Sequence, residues 1–188
     1  MATPQFERTS NANSGLRELQ RGQLQHDERA HADILALSPE RRLTHFGLHF
    51  AKYSGQLFRA TRLGDTTGAS RLMIDSLVIV LATANELDLD LTGEPTFSCL
   101  GNGEEELLRL FAEKTADFAK ACEAFDHPSE NYPSKATICT AIPVLSSIVQ
   151  ALANLYNLDL GAGVLSRWNE IESKAARSSG RVRSVAAA

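Results

Sequence analysis

Two columns of polar side chains are where this sequence can do chemistry. His45, His49, Lys52, Gln56 and Arg59 follow one another at spacings of four, three, four and three, so on a helix they share one basic stripe. Lys52 and Arg59 can hold phosphate oxygens directly, in place of the positive charge a metal brings. The same stripe can instead face acidic residues elsewhere in the chain, or solvent. Glu106, Glu113, Asp117 and Lys120 form a second column, mostly acidic, with Leu110 at the position of His49.

Asp75 stands apart. It lies in RLMIDSLVIVLATANEL, where an ionised carboxylate is costly to bury without a cation, and Lys52, His49 and Arg71 are the candidate partners. It reads either as part of a metal or ligand site or as half of a structural ion pair. His45 and His49 have the i, i+4 spacing of a zinc-binding pair, but no HExxH glutamate and no third ligand accompany them. His26, Asp27 and His31 form a similar loose cluster, and both groups read as ordinary polar-face residues. Trp168 reads as an anchor for the last helix. The sequence contains no GxxxxGK[ST], GxGxxG or GxSxG, so phosphate loops, dinucleotide folds and hydrolase elbows have no support.

The elements that must position these residues are helical. Residues 16–37 form a rather polar first helix, and Ser38-Pro39-Glu40 supplies an N-cap with proline at the first helical position. Leu43, Phe46, Phe50, Tyr53 and Leu57 then recur on one apolar face, until Gly64 and Gly68 break the pattern. Residues 69–88 are apolar nearly all round, which predicts a central helix. After a stretch with Gly93, Pro95, Gly101 and Gly103, a helix over 104–125 buries Leu107, Phe111, Phe118, Cys122 and Phe125. HPSENYPS ends it. Residues 135–157 form another apolar helix, interrupted by Pro143, and 161–176 a last amphipathic one. Strands have no clean period-two run to form from.

The chain also repeats itself. IVLATANELDLDL at 79–91 is echoed by IVQALANLYNLDL at 148–160, and Phe50-Ala51 falls on Phe111-Ala112 in the helices before them. The expected fold is therefore all-α: an antiparallel bundle of two tandem helical hairpins, each unable to bury its apolar face alone. The bundle spans 16–172, with 1–15 and 173–188 as polar, fraying segments, the latter carrying Arg177, Arg181 and Arg183.

On these residues the chain resembles the MazG-like all-α nucleoside triphosphate pyrophosphohydrolases over about 40–172. That family pairs an EExxE helix with an ExxD helix that often ends in a sequence like LGIDL. KYSGQL (52–57) occupies the first pattern, and RLMID, followed by LVIVLATANELDLDL, the second. Asp75 matches the ExxD aspartate, while Leu72 replaces its glutamate and Lys52, Tyr53 and Gln56 replace the three glutamates of EExxE. In the second half Glu113 and Asp117 match acidic positions, Lys114 replaces the other, and Ala141 and Val144 replace ExxD. The resemblance implies nucleotide handling, with Asp75, Glu113 and Asp117 as the metal-binding and catalytic carboxylates. It also implies Mg2+ as the cofactor of any activity, cleavage of a triphosphate to monophosphate and pyrophosphate, and Arg167 and Asn169 near the nucleotide. His45, His49, Lys52, Gln56 and Arg59 complete the expected ligand set. The alternative is a non-enzymatic interaction module that self-associates.

Bulk properties set the remaining bounds. A chain of 188 residues, 43% hydrophobic and with formal charge −4, suits one domain and disfavours broad nucleic-acid binding. Cys99, Cys122 and Cys139 are odd in number and widely spaced, which points to a reducing, cytoplasmic setting. The longest apolar run, LVIVLATA at 77–84, is short for a membrane span.

Overall fold

Short polar caps and left-handed turns cut this chain into helices. The structure, a computed structural model, describes residues 5–92, 103–127, 129 and 131–185. The described residues form seven helices: α1 (Gln5–Ala30), α2 (Ala32–Leu35), α3 (Pro39–Arg62), α4 (Thr66–Glu86), α5 (Glu104–Glu123), α6 (Ser134–Leu155) and α7 (Leu160–Val185). The described residues contain no strand. Cys99 and the segment with Gly93, Pro95 and Gly101 lie outside the described residues, as do the side chains of Arg181 and Arg183.

The cap at Ser38 is the one the sequence announces, and the structure adds a second at Asp65. Ser38 Oγ accepts from the Arg41 amide ahead of Pro39, and the Asp65 carboxylate accepts from the Gly68 amide at 2.8 Å. Gly68 leaves room for this cap, since a Cβ would meet Asp65 Oδ2 at 2.2 Å and push the carboxylate aside. It thus belongs to the first turn of α4 and does not break a helix. Two differences follow at the ends of the chain: α1 begins at Gln5, within the segment expected to fray, and α7 runs to Val185, through the expected tail. The helix expected over 16–37 is divided at His31, whose φ of −133° leaves the helical region between α1 and α2.

α3 and α4 are joined by residues 63–65 alone, which makes them antiparallel neighbours. α5 packs on α6, α3 lies against α5, and α4 lies against α6; α1 and α7 pack on α4 and on each other. The core runs through all of them. Phe50 and Phe118 meet edge-to-face at 5.3 Å where α3 crosses α5, next to Gly47, whose missing side chain admits the Phe118 ring. Met73, Leu77 and Leu81 of α4 and Ile142, Leu145 and Ile148 of α6 are almost wholly buried. By length and composition α4 and α6 could each cross a membrane, unlike the run 77–84 taken alone. More than half of either apolar stretch is buried inside the protein, as in a core helix.

The sequence repeat has a backbone counterpart. α4 and α6 both end in a Schellman motif: the Leu89 amide donates to Ala84 O and the Leu158 amide to Ala153 O, each at 2.9 Å. The residue that turns the chain is left-handed in both, Asp88 at φ 54° and Asn157 at φ 50°. Both are types that tolerate this region better than other non-glycine residues. Asn157 is exposed, so its backbone conformation dominates what a substitution does there. Asn157→Gly is expected to hold or raise stability, by up to about 1 kcal/mol, and Asn157→Val to lower it by about 1–2 kcal/mol, read from urea denaturation midpoints.

Candidate functional site

An apolar helix can carry an ionised carboxylate only if a cation comes to it, and the Asp75 side chain, 13% exposed, receives two. Arg167 Nε of α7 donates to Asp75 Oδ1 at 2.6 Å, and Arg71, one turn before Asp75 on α4, lies 3.8 Å away. Both arginines also reach Glu170, Arg71 at 2.8 Å and Arg167 at 3.1 Å, and Lys174 closes the chain on Glu170 at 3.0 Å. This network ties α4 to α7. Of the partners expected for Asp75, Arg71 is present but secondary. Arg167, expected near a nucleotide, is the main one. Glu170 was not anticipated, although its i+3 spacing from Arg167 and i−4 spacing from Lys174 mark it as a helix-surface partner.

The basic stripe of α3 borders this network. Its upper part turns inward: His45 and His49 are half-buried and meet edge-to-face at 4.7 Å. Its lower part, Lys52, Gln56 and Arg59, is exposed. Lys52 Nζ lies 3.3 Å from His49 Nδ1 and 4.4 Å from the centre of the Tyr53 ring, and the Tyr53 hydroxyl lies 3.1 Å from the same His49 nitrogen. A lysine ammonium only donates, so His49 Nδ1 is the acceptor and the proton of the neutral ring sits on Nε2. Burial, with the Lys52 charge and neighbouring His45 and His31 adding to it, holds the His49 pKa down to about 4. Burial pushes the Tyr53 hydroxyl up to about 12, the Asp75 charge adding to the effect.

Beneath the stripe lies a small cavity of about 80 Å³. Its polar wall is Gln23, Asp27, His31, His45 and His49; Phe46, Val78 and Ile79 supply apolar wall. A space of that size holds an ion or a few waters and is far below the several hundred Å³ a nucleotide needs.

The acidic column is elsewhere. Glu113 pairs with Arg109 and Asp117 with Lys114 at 2.6 Å, in each case within α5. Both side chains are about half exposed, and Lys114 and Asp117 border a groove of about 620 Å³ between α5 and α6, with Thr137 and Thr140 across it. Asn169 is exposed on α7. Of the cysteines, Cys122 donates from its thiol to Leu43 O, and burial pushes its pKa up to about 12, so it is no nucleophile at neutral pH. No protein-family model, curated protein or solved structure matches this chain.

Two measurements test this geometry. Arg167→Met is expected to cost about 2–3 kcal/mol in urea denaturation, less than the ~3–5 kcal/mol of a fully isolated buried charge because Arg71 remains. Adding Asp75→Asn should recover most of it. His49 stays neutral in the folded chain and protonates in the unfolded one, so it withdraws stability as pH falls from 6.5 towards about 4. His49→Gln is expected to make the loss of stability with falling pH less steep across that window.

Proposed function

We propose that this chain is a MazG-like bundle of two tandem hairpins that holds the phosphates of a nucleotide with cationic side chains, without hydrolysing it. The supporting observation is that Asp75, the one acidic residue kept from the first motif pair, is already neutralised by Arg167 at 2.6 Å. The equal Schellman ends of α4 and α6 support the duplication. Lys52 and Arg59 are exposed on the same stripe, and among the described residues neither has a carboxylate partner. The cavity is too small for a nucleotide, so the ligand lies on the outer side of α3, with its phosphates at Lys52 and Arg59.

The magnesium cage that the resemblance implies does not fit these residues. Mg2+ requires oxygen ligands in near-octahedral geometry. Asp75 is paired with arginine, Lys52 stands where a glutamate would, and Glu113 and Asp117 pair with cations of α5. A cytoplasmic location belongs to the same proposal, and Cys122 and Cys139, both free thiols, suit it.

Thermal unfolding in the presence of nucleoside triphosphates, with and without Mg2+, tests the proposal. At a hundredfold excess over Kd, binding contributes about 2.7 kcal/mol, a shift of roughly 5–10 °C for a chain of this size. A shift independent of Mg2+ and lost in Lys52→Ala/Arg59→Ala is expected. A Mg2+-dependent shift lost in Asp75→Asn overturns the non-hydrolytic reading. No shift with any nucleotide overturns nucleotide binding and favours a self-associating module, for which Leu48 and Leu165 are exposed.

A further inference from the structure

The first helix ends in HDERAH, and the break after it brings together side chains that a continuous helix would separate. Residues five apart on an unbroken helix point about 140° from each other. Because the chain leaves helical geometry at His31, the His31 ring turns back to within 5.4 Å of the His26 ring, edge-to-face. One ligand atom from each of His26, Asp27 and His31 lies within 4.8 Å of the other two.

His26 is wholly buried, and its two nitrogens are in different situations. Nδ1 lies 2.9 Å from Glu172 Oε1 of α7. Arg29 Nη2 donates to the same oxygen at 2.9 Å, so this oxygen is the carboxylate acceptor and Nδ1–H donates to it. In the neutral ring this leaves Nε2 as a lone pair, and Nε2 is buried without any partner. A buried unpartnered nitrogen is costly, and its presence calls for something that binds it. The ring is further fixed by stacking on Trp168, at 5.8 Å and 20° between planes.

Asp27 is oriented by a second chain of hydrogen bonds. Trp168 Nε1 donates to Gln23 Oε1 at 2.8 Å, which assigns the Gln23 amide, and Gln23 Nε2 donates to Asp27 Oδ1 at 2.8 Å. Gln23 is itself wholly buried. Asp27 itself is half-buried.

We propose that His26 Nε2, the Asp27 carboxylate and a nitrogen of His31 form a binding site for a divalent transition-metal ion of the zinc class. Two nitrogens and one oxygen suit Zn2+ or Co2+ and not Mg2+, and three protein ligands leave a coordination position open. Asp27 and His31 form part of the 80 Å³ cavity wall, so that position opens towards His45 and His49. Glu172 and Gln23 act as positioning residues behind the ligands, the arrangement by which metal sites fix the orientation of their histidines and carboxylates. The site shares no residue with Lys52 and Arg59, so it stands or falls independently of nucleotide binding.

Trp168 is the sole tryptophan of the chain and reports on the site directly. Chelator-stripped full-length protein is titrated with Co2+, following Trp168 fluorescence, and with Zn2+, following retained metal after gel filtration. Quenching that saturates at one Co2+ per chain, competition by Zn2+ and indifference to Mg2+ are expected. His31→Ala and Asp27→Asn, at half-buried positions, should each weaken Co2+ binding at least tenfold, and Glu172→Gln by tenfold to a hundredfold, with circular dichroism confirming helical content. Asp117→Asn, on α5 and paired within that helix, should leave Co2+ binding unchanged. The inference is overturned if no stoichiometric ion is retained, if folded His31→Ala and Asp27→Asn bind like the parent chain, or if Asp117→Asn abolishes binding instead.

Discussion

The neutralisation of Asp75 is the constraint from which the arrangement of this protein follows. A carboxylate placed among the apolar residues of α4 would either protonate or expel its helix from the core if it had no cation. Arg167 supplies one from the far end of the chain, and its long side chain fixes the height and rotation of α7 on α4. Gly163 completes the docking. A Cβ there would meet Ile74 Cδ1 at 2.6 Å, so the two helices approach as closely as they do because glycine occupies that turn.

Once α7 is seated, α1 is seated too. Trp168 and Glu172 reach from α7 to Gln23 and His26 of α1, and Gly22 admits the Trp168 ring at a separation that any Cβ would forbid. The polar groups buried at this junction are satisfied by one another in series, Trp168 to Gln23 to Asp27 and Glu172 to His26, which makes the junction specific as well as stable. His26 Nε2 is the exception in that series. A fully satisfied network gives rigidity; a single open lone pair within a rigid network gives a place for an ion.

The polar seam thus has two chemically distinct parts. Towards Arg59 it is exposed and cationic, with Lys52 leaning on the Tyr53 ring. Towards His31 it is enclosed and made of half-buried imidazoles beside one half-buried carboxylate. Desolvation separates the two: it is weak where water reaches Lys52 and strong where His49 and Asp27 face the cavity. The acidic column on α5 has no part in either, because Arg109 and Lys114 of the same helix already occupy its carboxylates.

Local physics made much of this legible in the amino-acid sequence. The cap at Ser38, the apolar face of Phe46, Phe50 and Leu57, and the all-apolar character of α4 and α6 depend on residues within a few turns of one another, so spacing alone determines an all-α protein. The likeness of 79–91 and 148–160 likewise carried over into equal helix ends, because a Schellman motif is closed by its own backbone. Partner choice was not legible. Asp75 takes Arg167 from 92 residues away, while nearer cations on the stripe were equally plausible by type. His26, Asp27 and His31 look like scattered polar residues until the backbone breaks at His31 and α7 buries them. Charge pairing and desolvation are decided by which surfaces meet, and sequence spacing records only neighbours on one helix; the meeting of α1, α4 and α7 exists in the tertiary structure alone.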